Sequence, residues 1–138
     1  MERLKERLAV AQHALASFQE VLRLPTPTAF ERDAAIQRFE YTVEATWRVA
    51  QRYLDIIEAF EAASPKATVR FSRQVGVLTD EEAAQALKMM DDRNLTVHTY
   101  HEEVAERIHS HLPRYAVLME HWLAAIEARV AERERAGE

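Results

Sequence analysis

Arg93 and His98 stand five residues apart in the stretch Asp91-Asp92-Arg93-Asn94-Leu95-Thr96-Val97-His98-Thr99-Tyr100, and together they supply the parts of a phosphodiester-cleaving site. A neutral imidazole can take a proton from a 2′-hydroxyl, or return one to a leaving oxygen, near neutral pH. A guanidinium is a permanent cation suited to neutralising charge that builds on phosphorus. Neither step needs a metal. Asn94 and Tyr100 add an amide and a phenol to the same segment. On an unbroken helix a spacing of five turns two side chains roughly 140° apart. Convergence of Arg93 with His98 therefore requires a helix end between them, and Asn94 and Thr99 are the residues that can supply it. The plainer reading is that Arg93 pairs with Asp91 or Asp92 and that His98 caps a turn.

Other polar sets are weaker. His98 and His101 lie three apart, and Glu106-Arg107-Ile108-His109 has the Glu-x-x-His spacing of di-iron bundles. Such bundles need two of those motifs and further carboxylates, and no second Glu-x-x-His occurs, so no metal site and no cofactor are expected. His13, His111 and His121 read as solvated or partly buried side chains. Arg48 with Arg52, and Arg70 with Arg73, can form local phosphate patches or merely solvated helix faces.

The elements that must position these groups are helices. Leu4, Leu8, Ala11, Leu15, Phe18 and Leu22 form one helical stripe that stops before Pro25. Thr28 with Glu31 is a capping-box pattern, and a long helix is expected from about Ala29 to Ala63, with Phe39, Val43, Trp47 and Leu54 on its stripe. Ser64-Pro65 restarts a short helix that Gly76 stops. Thr79-Asp80-Glu81-Glu82 opens a fourth, which should fail near Asn94. Thr99 with Glu102 predicts the start of the last, interrupted by a kink or short break at Pro113, with a charged tail that frays from about Ala131. The expected fold is all-α, an up-and-down four-helix bundle with a short additional helix, in one domain over residues 1–138.

Composition agrees. With 48% hydrophobic and 30% charged residues the chain has a globular balance, and two glycines leave little material for tight hairpins or a phosphate-binding loop. The net charge of -5 argues against a broad positive field for wrapping duplex nucleic acid. Having no cysteine, the chain has neither disulfides nor thiolate chemistry. No apolar run approaches the ~20 residues of a membrane span. The opening residues lack a signal-peptide pattern, so a cytoplasmic protein is expected.

Arg93 to Tyr100 fits the Arg-x4-His-x-Tyr signature of HepT-type members of the HEPN superfamily. Two other stretches resemble the same family: Arg38 to Trp47 its long second helix, and Ser64-Pro65-Lys66 through Leu78 its Ser-Pro helix. The resemblance implies a homodimer whose two Arg/His motifs face one another across a cleft and cut RNA without a metal. It also implies a partner, a minimal nucleotidyltransferase (MNT), that silences the RNase by transferring AMP to the motif tyrosine. By position Arg93 is then the phosphate stabiliser, His98 the acid or base, Asn94 an orienting residue and Tyr100 the adenylylated phenol. His101 stands where the pattern places an acidic residue. The same family has been described as a non-catalytic substrate-binding partner of the nucleotidyltransferase, and that reading remains beside the first.

Overall fold

Short polar side chains decide where three of the helices begin. In the computed structural model, which describes residues 1–137, Thr28 accepts a hydrogen bond from the Glu31 amide at 3.2 Å and Glu31 accepts one from the Thr28 amide at 2.8 Å. The expected box is formed, and helix α2 runs Ala29–Glu58. Thr79 and Glu82 make the same reciprocal pair ahead of α4, Asp80–Leu95. Ser64 caps α3, Pro65–Gln74, with proline in the first turn. α1 spans Glu2–Leu22 and α5 spans Glu102–Ala136. Gly76 ends the α3 segment at φ 86°, while the Val77 amide returns to the Ser72 carbonyl.

The apolar stripes meet as expected. α1 packs on α2 and α5, while α3 lies on α2 and α4 on α5. Phe18, Phe39, Tyr53 and Trp122 are fully buried, each worth about 1.5–3 kcal/mol on the scale of large apolar side chains. Phe39 ties α1 to α5, its ring 6.1 Å from Phe18 and 5.6 Å from Tyr115. Polar links line the α1–α5 seam: Lys5 to Glu134 at 3.1 Å, Gln12 to Glu127 at 2.7 Å and Gln19 to Glu120 at 2.7 Å. Among the described residues no helix is long and apolar enough to cross a membrane.

Three boundaries differ from expectation, and one expected interruption takes another form. α2 stops at Glu58, because Ala59 takes the left-handed conformation (φ 59°, ψ 34°) and Phe60 turns back to stack on Phe71 at 4.9 Å. The Gln51 amide then holds the Ala62 carbonyl at 2.7 Å. Tertiary contacts, rather than a stop residue, end this helix. At Pro113 the short break, one of the two expected outcomes, does not occur, and α5 continues through it. Pro113 is exposed, so water can serve the carbonyl its ring leaves free one turn earlier. The Thr99–Glu102 capping box does not form: the Thr99 hydroxyl donates to the Thr96 carbonyl at 3.0 Å, Glu102 pairs with Arg32 at 2.6 Å, and His101 occupies the cap position with no side-chain bond. The charged end continues as helix to Ala136.

Candidate functional site

The end of α4 is built by two threonines. Thr96 donates its hydroxyl to the Arg93 carbonyl at 2.7 Å, and Thr99 does the same to Thr96, so the chain tightens into a 3-10 turn over Thr96–His98. The helix end expected near Asn94 falls at Leu95, and it is made through right-handed residues in place of a left-handed one. This break carries His98 and Tyr100 off the α4 axis.

Arg93 is half-buried, and its Nε is sealed from solvent with no hydrogen-bond acceptor. With Asn94 it lines a groove of about 380 Å³, whose other walls include Glu44 and Trp47 of α2 and Lys66 of α3. Burial works to raise the Glu44 pKa, yet the bonds from Trp47 and Arg48 and the charges of Arg48 and Arg93 outweigh it and hold this carboxyl below the usual range. Trp47 Nε1 donates to Glu44 at 2.8 Å, and the Arg48 guanidinium lies 4.2 Å above the Trp47 ring. A carboxylate and an aromatic edge therefore face the motif arginine across the groove.

The aspartates before Arg93 are engaged elsewhere. Asp91 pairs with Lys66 at 2.7 Å. Asp92 is buried and accepts from Tyr115 at 2.6 Å, with His111 Nδ1 at 2.7 Å. Burial, and then the Asp92 carboxylate, push the Tyr115 phenol well above its ordinary value. Among the described residues no ion pair joins Arg93 to either aspartate.

His98 and Tyr100 form the second half of the motif. His98 Nδ1 lies 3.3 Å from the Tyr100 hydroxyl, the rings meet edge to face at 5.9 Å, and Tyr100 is 74% exposed. His101 lies against Tyr100 at 4.3 Å. An acidic residue at 101 could accept bonds from the free amides of α5; a histidine leaves that cap unmade. The structure pairs Arg93 with Asn94 in the groove and His98 with Tyr100 on the turn, and no hydrogen bond joins the two halves within one chain among the described residues. No cluster of three or more histidine, aspartate or glutamate side chains is placed to hold a metal ion among those residues.

Glu44, Trp47 and Lys66 were not legible as site residues, although the stretches that carry them are the two that resemble the family. His111 and Tyr115 sit four apart on α5, hence on one face, but that spacing does not name Asp92 as the group they meet.

A five-helix bundle with Arg-x4-His-x-Tyr at the exit of its fourth helix is the arrangement that the resemblance to HepT-like members of the HEPN superfamily implies. The chain belongs to the family described as nucleotidyltransferase substrate binding protein like, whose model matches residues 6–128. A Thermus thermophilus protein of known structure is 54% identical, with a TM-score of 0.82 over 84% of this chain and 98% of the other. Two more distant structures share the fold. One is from Haemophilus influenzae, described as the substrate binding domain of a nucleotidyltransferase (22% identity, TM-score 0.72, 87% of this chain and 98% of that one). The other is a tri-AMPylated Shewanella oneidensis HEPN toxin in complex with an MNT antitoxin (17% identity, TM-score 0.74, 91% and 96%). A search of curated proteins returned no match.

Proposed function

We propose that the chain is a HEPN-type toxin, a metal-independent RNase that acts as a homodimer in the cytoplasm and is silenced when a partner nucleotidyltransferase transfers AMP to Tyr100. The observation that carries this reading is the contact between His98 Nδ1 and the exposed Tyr100 hydroxyl. With Nδ1–H donating to the phenol oxygen, Nε2 keeps the lone pair of a general base; once Nε2 is protonated as well, the imidazolium carries the proton of a general acid while Nδ1–H still donates to the phenol. In cleavage, the base takes the proton of a 2′-hydroxyl, that oxygen bonds to the adjacent phosphorus, and the 5′-oxygen leaves with a proton from an acid. Arg93 supplies the positive charge at phosphorus, and Asn94 orients the phosphate. One copy of the motif offers a single imidazole, His98, and a second copy across a cleft supplies the other.

The Shewanella relative is AMPylated and bound by its antitoxin. Transfer to Tyr100 would join the phenol oxygen to the α-phosphorus of ATP and release pyrophosphate. The attached phosphate and adenosine would then stand beside His98 and block substrate.

Expression of the chain alone is expected to arrest growth, and His98→Ala or Arg93→Ala to abolish the arrest, with cleavage by purified protein falling about 10²–10⁴-fold for His98→Ala. Persistent toxicity in both variants would sink the reading. A second reading, a non-catalytic substrate-binding or scaffolding subunit of the nucleotidyltransferase, is favoured by the family description and by the net charge of -5. It is distinguished by a stable complex with that enzyme, no AMP on Tyr100 by mass spectrometry, and no RNA cleavage.

A further inference from the structure

Glu44 connects the motif groove to a longer depression along α2. Glu44 lines the Arg93 groove and also a second one, of about 460 Å³, together with Arg3, Arg7, Tyr41 and Arg48. Arg7 and Arg48 then line a third, of about 540 Å³, with Gln51 and Arg52. The three share walls in series, and from residue 44 to residue 55 of α2 they extend roughly 16 Å at the helical rise. Six cations, Arg3, Arg7, Arg48, Arg52, Lys66 and Arg93, meet the four carboxylates of Glu6, Glu44, Asp55 and Glu61 and that of Asp91, which pairs with Lys66. A chain of net charge -5 thus collects a local positive excess here. Among the described residues Arg3, Arg7 and Arg52 have no carboxylate partner, and Tyr41 stands 62% exposed among them.

We infer that these grooves form a track for a single-stranded RNA, which runs along α2 and delivers its backbone to Arg93. Unpaired guanidiniums along a concave path take successive phosphates, and an exposed tyrosine among them offers a base a face to stack on. A duplex would need the broad positive field that this chain lacks. The choice of RNA as the strand rests on the RNase reading; the track itself rests on the arginines and Tyr41.

Fluorescence anisotropy of a labelled single-stranded RNA 12-mer tests the track, with His98→Ala in every protein so that the strand is not cut. Adding Arg7→Ala and Arg52→Ala is expected to weaken binding about tenfold and to flatten the log–log salt slope by about 1.4, at roughly 0.7 for each phosphate left without its arginine. Tyr41→Ala alone should weaken binding about tenfold, and a control pair, Arg23→Ala with Arg114→Ala, should leave it unchanged. Unchanged affinity in the Arg7/Arg52 protein, or an equal loss in the control, overturns the track. So does ATP binding as tightly as the 12-mer, which would mark a mononucleotide pocket. A switch of oligomeric state in the Arg7/Arg52 or Tyr41 variants, seen by light scattering, overturns it too, since that face would then join copies of the chain. A strand bound through these arginines but left whole by wild-type protein removes the RNase reading and leaves the track; cleavage indifferent to Arg7 and Arg52 removes the track alone.

Discussion

Asp92 holds the motif from behind. Its carboxylate is buried with Tyr115 and His111 of α5, and the next residue is Arg93. A buried carboxylate that loses its charge loses charge-assisted bonds, so Asp92→Asn should destabilise the fold by about 2–3 kcal/mol. Tyr115→Phe, which spares the charge and the His111 contact, should cost about 1.5 kcal/mol. Urea unfolding of the two variants checks the order; equal stability of Asp92→Asn and wild type would show that the network does not anchor α4. Arg93, Asn94, His98 and Tyr100 were readable as a set because four kinds of polar group crowd one helix exit. The partners of Asp92 were not, since spacing along one helix cannot tell which neighbour across the bundle will reach an aspartate. The same limit hid Glu44 and Lys66, which approach Arg93 from helices distant in sequence.

Helix beginnings were more legible than helix ends. Thr28, Ser64 and Thr79 act through amides at most three residues away, so their effect is local and written in order. Glu58 ends α2 for a reason that lies in Phe71 and Gln51. Ala59, held at φ 59°, adopts a conformation costly to any residue with a Cβ. Ala59→Gly is therefore expected to raise stability by about 1 kcal/mol, read as a higher urea midpoint; a lower midpoint would mean that flexibility gained by the unfolded chain outweighs the relief. The missing Thr99 box has a related cause. Once the 3-10 turn has taken the Thr99 hydroxyl, the cap falls to His101, whose ring makes no capping bond.

Across the whole molecule, acid should loosen the bundle. His109 of α5 is half-buried, and burial, followed by the nearby Arg32 charge, lowers its pKa below the ordinary 6.5. The folded protein thus binds fewer protons at this site than the unfolded chain does, so its stability rises with pH and is lost as pH falls below about 6.5. The urea midpoint should drop between pH 7.5 and 5.5, and His109→Gln should make that drop shallower; an unchanged drop would assign the effect to other groups. The bundle class was legible from stripe periodicity alone, because burial of one helical face leaves few other solutions. Which helices touch was not. The α1–α5 seam shows what such a contact imposes: its polar links fall at residues 5, 12 and 19 on one helix and at 134, 127 and 120 on the other. Each rung is one heptad from the next, the period at which two helices keep a common face as they wind around each other. A single inserted residue would swing every later rung by roughly 100°, whereas seven would restore the match. Along this seam helix length is quantised, and evolution can lengthen or shorten the pair in steps of a heptad, taken in both helices at once.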